Sequence, residues 1–299
     1  MKYFKSITIA FYIVAIASCN KITTETPDFT VAINKNSFAV GDTVKFQLSG
    51  TPANVVFYSG EAGNNYDTRN VFTATGGAPE MTFTTALTAS TGSSTATNVN
   101  LMVSNNFTGK YNQTDILAAT WTDITSSIAV PGSNQRVVLT PYVTQGKPIY
   151  VAFKFQTVDT SKSQRLLTIS NFSFKTVYQN QAYQNAINVY DAGFSAYDFA
   201  GVIGKWVIPI TSTSNTSFTH PFVAANSAAD NDWAISKAME TNAVLPGKGI
   251  ALKAISNDVL TEYKYVFTKA GTYKIVFVAS NNTNQDYHEV VREFNVTVN

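Results

Sequence analysis

The sequence predicts an all-β protein built from sandwich domains. Apolar residues alternate with polar ones over several short runs, which is the period-two pattern of strands buried on one face. Turn clusters such as Gly76-Gly77 and Pro246-Gly247 separate these runs, and no convincing amphipathic helix follows Pro27. Short strands at this spacing are typical of β-sandwiches. The alternating runs are 44–48, 149–155, 263–267, 273–277 and 294–298.

The composition allows about two domains and excludes several function classes. The chain has 299 residues, of which 13% are charged and 13% aromatic, so it can bury a sizeable core. Without the two lysines of the first nineteen residues, basic and acidic residues balance. A nucleic-acid partner is therefore not expected, because the chain lacks the excess of positive charge that binds phosphates. Two histidines and one cysteine exclude disulfide frameworks, zinc clusters and most Cys/His chemistry.

The N-terminus has the pattern of a secretion signal. Two lysines precede an apolar stretch over 7–17, which is too short to span a membrane and has the length of a signal-peptide core. The stretch ends in Ile-Ala-Ser-Cys19, which resembles the lipobox of bacterial lipoproteins. That resemblance implies acylation of Cys19 and a membrane anchor. Residues 1–19 are thus predicted as a lipoprotein signal peptide and 20–27 as a polar tether; the alternative is an ordinary cleaved signal peptide.

The two ends of the mature chain together resemble one domain. Residues 28–72 resemble the opening strands of polycystin (PKD)-like immunoglobulin sandwiches, and 258–299 resemble their closing hairpin, with an Ala-Gly-Thr-Tyr turn at 270–273. Together they approach the ~100 residues of one Ig-like sandwich. We therefore predict an Ig/PKD-like domain split by an insertion. The alternative is two or three sandwiches in series.

The middle of the chain has a different signature. An Asp-Trp-Ala-Ile-Ser stretch at 232–236 and an Ile-Tyr-Val-Ala-Phe stretch at 149–153 resemble core strands of galactose-binding-like jelly rolls. The resemblance covers 80–255 and predicts a jelly-roll sandwich there. Such domains occur in secreted adhesins and carbohydrate-binding modules.

Several features together resemble an uncharacterised family of Bacteroidetes surface lipoproteins. They are the lipobox, Pro27-Asp28-Phe29, Phe57-Tyr58-Ser59-Gly60-Glu61 and the Ala-Thr-Trp-Thr-Asp-Ile stretch at 119–124. Members often lie beside SusC/SusD-type glycan-import systems. The resemblance implies a lipid-anchored outer-membrane protein facing the cell exterior, with an extracellular glycan and other uptake components as partners. It transfers no catalytic residues.

The segment 178–199 is the predicted ligand-binding location. It combines aromatic rings with amides and acids, a composition suited to sugar recognition, and Trp206 is a further candidate ring. The alternative is a long connection packed on the sandwich by its own rings. The candidate ligand-binding residues are Tyr178, Tyr183, Tyr190, Asp191, Tyr197, Asp198 and Trp206.

Asp230 and Asp232 offer clustered oxygen ligands, for which a structural calcium ion is one interpretation and a polar turn the other. We expect no other cofactor and no catalytic residue, and we take both histidines as surface imidazoles. The predicted function is non-catalytic binding of an extracellular oligosaccharide. An adhesin with a protein partner and a carboxylate-dependent glycoside hydrolase are the alternatives.

Overall fold

The computed structural model describes residues 23–89, 98–179, 181–199, 201, 205–208 and 216–299. Within these ranges the chain is mostly β-strand, with two short α-helices, α1 (Gln113–Ala118) and α2 (Val189–Ala192). The predicted all-β fold is confirmed. Neither helix is long and apolar enough to cross a membrane. The predicted signal peptide and Cys19 lie outside the described residues.

The described chain forms two compact units. The first comprises residues 23–66 and 248–299, and the second lies within 67–247. Each unit contains two sheets and has its own core. In chain order the strands are β1 (Phe29–Ile33), β2 (Ser37–Phe38), β3 (Thr43–Gly50), β4 (Asn54–Tyr58), β5 (Ala78–Thr88), β6 (Val99–Ser104), β7 (Thr122–Asp123), β8 (Gly132–Val138), β9 (Tyr150–Gln156), β10 (Leu166–Val177), β11 (Ala182–Ala186), β12 (Ser195–Asp198), β13 (Ser217–His220), β14 (Asn231–Ile235), β15 (Ile250–Lys253), β16 (Glu262–Val266), β17 (Gly271–Asn282) and β18 (Tyr287–Val298).

The first unit joins strands from both ends of the chain. Its sheets have the orders β1-β3-β16 and β15-β4-β17-β18-β2. The rings of Phe46, Phe57 and Phe277 lie 5.0–5.9 Å apart in its core. Strand β15 pairs with β4 and so belongs to this unit, whereas the sequence assigned it to the jelly roll over 80–255.

The start of the described chain is fixed to the turn between β17 and β18. The backbone N–H of Thr24 donates to Asp286 Oδ2 at 2.9 Å. The side-chain amide of Asn281 donates to the Glu25 carbonyl at 3.0 Å, and its Oδ1 accepts from Ala53 N at 2.8 Å. The predicted tether over 20–27 is therefore held on the first unit from Thr24 onward.

The second unit is a sandwich of two sheets. One has the order β11-β10-β5-β8, with β13 also paired to β10, and the other has the order β12-β14-β9-β6-β7. Their inner faces share one core, in which the Phe153 ring lies 5.3 Å from Phe83 and 5.8 Å from Phe218. Along β6, β9 and β14, every second side chain points away from this core, to the other face of the second sheet. We call this face the outer face.

Both helices are single-turn insertions between strands. Asn112 and Asn188 cap them by accepting the backbone N–H three residues later, and Gly193 ends α2 with a φ of +58°. Helices of six and four residues are too short to show a 3.6-residue apolar period. The sequence pattern therefore gives no sign of them.

Candidate functional site

Most of the described residues of the segment 178–199 lie in regular structure. The segment contains β11, α2 and β12. Tyr183 lies half-buried on β11, and Tyr190 lies on α2 with 41% of its surface exposed. Helix α2 packs against β10 and β11, which belong to the first sheet of the sandwich. Tyr197, in contrast, lies on β12 in the second sheet. The structure therefore does not bring Tyr190 and Tyr197 onto one surface element.

The remaining predicted ligand-binding residues in this part of the chain have local or core roles. Trp206 is 3% exposed, and its Nε1–H donates to the Asp232 carbonyl at 3.2 Å, so its ring belongs to the core. Asp191 accepts from Ile187 N at 3.3 Å, and Asp198 accepts from Gly201 N at 2.7 Å. Tyr178 is half-buried, and burial raises the pKa of its hydroxyl.

The outer face of the second sheet carries a row of side chains across four strands. Tyr197 of β12 pairs with Trp233 of β14, Trp233 pairs with Lys154 of β9, and Lys154 pairs with Asn100 of β6. Directly opposed residues of a ladder point to the same face, at Cβ separations of about 4.5–5.5 Å. The row therefore consists of the Tyr197 phenol ring, the Trp233 indole, the Lys154 ammonium group and the Asn100 amide.

Further rings extend this row into an aromatic platform, which we define as Trp121, Tyr197, Phe199 and Trp233. Trp121 meets Trp233 edge-on at 5.1 Å, and Phe199 lies 6.3 Å from Trp233 and 4.8 Å from Tyr197. Trp233 is 7% exposed, whereas the other three rings are half-buried. The segment carrying α1 covers the neighbouring part of the outer face, where Ile116 and Phe107 are buried.

Polar groups border the platform. Asp123 accepts from the Asn100 amide at 3.0 Å and from Thr125 N at 2.8 Å. Burial raises the pKa of Asp123, but these hydrogen bonds outweigh burial and hold the pKa below its usual value. Lys154 lies 5.7 Å from the Trp233 ring centre. The border therefore offers an ionised acceptor, an amide and an ammonium donor beside flat apolar surfaces.

An open cleft lies beside the platform. It has a volume of about 250 Å³, and Thr120 and Thr122, the neighbours of Trp121 in the chain, form part of its wall. Asn105 and Tyr142 also line the cleft. Most of these side chains carry hydroxyl or amide groups, which suits a polar ligand.

Asp230 and Asp232 lie in the interior with His220. All three are at most 2% exposed. The expectation that His220 is a surface imidazole is wrong, because β13 inserts it between the two sheets. Burial lowers the pKa of His220, but the neighbouring carboxylates of Asp230 and Asp232 outweigh burial and raise the pKa. Burial raises the pKa of Asp232 to about 6, and the nearby Asp230 carboxylate adds to this.

The predicted ligand-binding residues do not include Trp121 or Trp233, and the stretch 232–236 that contains Trp233 resembles a core strand of a jelly roll. The structure shows Trp233 largely buried, yet on the outer face rather than between the sheets. The signal in the sequence is the alternation of β14, where Asp232 and Ala234 face inward and Trp233 and Ile235 face outward. Such a strand has an apolar residue on each face, so periodicity alone does not locate the surface.

The comparisons with known proteins give one match. The family model described as "Domain of unknown function (DUF5017)" matches residues 18–194, more than half of the chain. The matched range includes Trp121 and Lys154 and ends before Tyr197 and Trp233. No curated protein and no solved structure matches the chain significantly.

Proposed function

The chain belongs to the DUF5017 family, a domain of unknown function, and we propose that it binds extracellular oligosaccharide without catalysing a reaction. The observation that carries this proposal is the aromatic platform with its polar border on the outer face. We further propose that the protein is a lipoprotein, anchored through Cys19 on the cell-surface side of the outer membrane. Its partners there are the membrane and components of glycan uptake.

The chemistry of sugars matches the platform. A pyranose has apolar C–H faces that stack on flat rings, and hydroxyls around its rim that need donors and acceptors. Trp121, Tyr197 and Phe199 offer partly exposed rings, while Asp123 and Lys154 offer an acceptor and a donor. A shallow site of this kind supports Kd values on the order of micromolar to millimolar.

The lowered pKa of Asp123 argues against this residue as the general acid of a glycoside hydrolase. A hydrolase needs a carboxylic acid whose pKa is raised, so that it can protonate the leaving group. The hydrogen bonds to Asp123 lower its pKa instead and keep it ionised. At this position the carboxylate serves as a hydrogen-bond acceptor for a sugar hydroxyl.

Binding is tested by comparing two tyrosines of the same predicted segment. The purified protein is screened on a printed glycan array, and the best oligosaccharide is then titrated by calorimetry against Tyr197→Ala and Tyr190→Ala. We expect Tyr197→Ala to weaken binding at least tenfold, about 1.4 kcal/mol, because it removes a stacking ring. Tyr190→Ala is the matched control, since it removes an exposed ring on α2, which packs against the other sheet. Affinity should change little with salt.

Any of three results would contradict the proposal. Equal affinity in Tyr197→Ala, with a loss in Tyr190→Ala, would move the site from the platform to α2. Absence of binding to every glycan on the array would favour the alternative, an adhesin with a protein partner. Release of reducing sugar from a bound oligosaccharide would instead support a hydrolase.

A further inference from the structure

The buried cluster of His220, Asp230 and Asp232 has the geometry of a ligand set. His220 Nε2 lies 2.9 Å from Asp232 Oδ2 and 3.5 Å from Asp230 Oδ2. One potential ligand atom from each residue lies within 4.8 Å of the other two. The platform uses none of these three residues, so the cluster is a separate feature of the second unit.

The imidazole is held in a fixed orientation. Its Nδ1 lies 3.2 Å from the Pro221 carbonyl, which can only accept, so Nδ1 carries the proton and Nε2 faces the carboxylates. The Phe155 ring stacks on it at 3.6 Å, and Trp206 meets it edge-on at 5.3 Å. A backbone carbonyl on the second ring nitrogen is the usual support of a metal-bound histidine.

The carboxylates lack the partners that burial requires. Both carboxylate oxygens of Asp230 and the Oδ1 of Asp232 are enclosed and accept no hydrogen bond from the residues that the structure describes. Buried ionised groups without partners are strongly unfavourable. A protonated imidazole supplies one positive charge against two carboxylates, and its Nε2–H points chiefly to Asp232 Oδ2. The Asp230 carboxylate then stays uncompensated.

We propose that His220, Asp230 and Asp232 bind one divalent transition-metal ion, for which Zn²⁺ is the best fit. Two carboxylates and a neutral imidazole balance a charge of +2. Zn²⁺ binds histidine nitrogen and carboxylate oxygen at about 2.0–2.2 Å, which places tetrahedral ligand atoms roughly 3.3 Å apart. The separations of 2.9 and 3.5 Å lie on either side of that value. Ca²⁺ prefers six to eight oxygens, so the imidazole disfavours it.

The ion would connect the two sheets of the sandwich. His220 ends β13, which pairs with β10 in the first sheet, whereas Asp232 lies on β14 in the second. A bound ion therefore crosslinks the sheets and stabilises the folded unit by mass action. Its role is structural, since the site is enclosed by Phe155, Trp206 and the core.

The site is tested with the purified protein after dialysis against EDTA. Thermal unfolding is followed by tryptophan fluorescence, with Zn²⁺ or Ca²⁺ added back. Zn²⁺ should raise Tm by roughly 5 °C at a hundredfold excess over its Kd. Co²⁺ serves as a second probe and should give visible absorption bands typical of low-symmetry coordination. Asp230→Asn should lose both responses, whereas the control Asp159→Asn, at an acid in the same unit whose carboxylate accepts from Ser161, should keep them.

Each contrary result would overturn a defined part of the proposal. Wild-type protein with no Co²⁺ absorption and no Zn²⁺ shift would exclude the metal site, whatever the variants do. A shift with Ca²⁺ and none with Zn²⁺ would overturn the class of ion. An Asp230→Asn protein that keeps both responses would exclude Asp230 as a ligand. If this variant does not fold, the wild-type Co²⁺ spectrum decides alone.

Discussion

Trp233 supports the aromatic platform while exposing little surface of its own. Its ring meets Trp121 at 5.1 Å, and its Nε1–H donates to Asn231 Oδ1 at 3.2 Å. The Lys154 ammonium lies 5.7 Å from the ring centre, a cation–π contact worth about 0.5–1 kcal/mol at an exposed site. Trp233 is only 7% exposed, so replacing it would remove packing as well as part of the proposed binding surface. Replacing the half-buried Tyr197 therefore tests ligand affinity with a smaller effect on the free energy of unfolding.

Cys19 is the single residue on which the proposed anchor depends. Cys19→Ala removes the chain's only thiol, so the protein should incorporate no acyl chain and should leave the membrane fraction. Metabolic labelling with a fatty-acid analogue, followed by fractionation, measures both effects. Ser18→Ala is the control, since another small residue should leave processing intact. Equal labelling of Cys19→Ala and the wild type would contradict the lipoprotein assignment.

At the scale of elements, β5 is held to both neighbours by one carboxylate. Glu80 accepts from Arg136 Nε of β8 at 2.7 Å, and Lys175 Nζ of β10 lies 3.3 Å from its other oxygen. The Glu80 side chain is 8% exposed. Its hydrogen bond with Arg136 outweighs burial and, with Lys175, holds the pKa below 4.5. The ionised carboxylate therefore stabilises three adjacent strands.

Glu80→Gln should lower the free energy of unfolding by about 1 kcal/mol at pH 7, because both cations are partly exposed and solvent screens the pairs. The folded pKa lies below the unfolded one, so the contribution is complete above pH 4.5 and is lost as pH falls through the folded pKa. Urea unfolding should show a smaller difference in the free energy of unfolding between Glu80→Gln and the wild type below pH 4 than at pH 7. Glu262→Gln, in an exposed pair with Lys264, should change less. A constant difference at both pH values would contradict this role.

The strands are the part of the structure that sequence pattern predicts best. Each alternating run, such as 263–267 and 294–298, coincides with a strand, because one buried face leaves a period of two. The candidate site is harder to predict. Tyr190 and Tyr197 are close in sequence, but Tyr190 lies on α2, which packs against the first sheet, and Tyr197 lies on β12 in the second. Counting histidines and cysteines also overlooked the cluster at His220, since carboxylates supply its other ligand atoms.

At the scale of the whole molecule, the two units differ in their spectroscopic reporters. All three tryptophans, Trp121, Trp206 and Trp233, lie in the second unit, whereas the core of the first is built from Phe, Tyr and aliphatic residues. Tryptophan fluorescence therefore follows the second unit alone. This allows the stability of the second unit to be measured in the intact chain.

Deleting 258–299 removes β16, β17 and β18, and with this segment the first core loses Phe267, Ile275, Phe277 and Val296. We expect residues 23–66 to become sensitive to limited proteolysis, while the second unit keeps a cooperative fluorescence transition, because its core needs none of these strands. Mass spectrometry of the digest identifies the surviving fragment. Survival of 23–66 with loss of the fluorescence transition would instead support sandwiches in series.

The hydrogen bond between Thr24 and Asp286 limits how far the protein can stand from a bilayer. Five peptide units separate Cys19 from Thr24, and five extended residues span at most about 18 Å. With an acylated Cys19, the turn between β17 and β18 is consequently held within this distance of the lipid headgroups. The first unit then lies against the membrane rather than at the end of a long stalk. On such an anchored protein, a large glycan would have free access only to surfaces that point away from that turn.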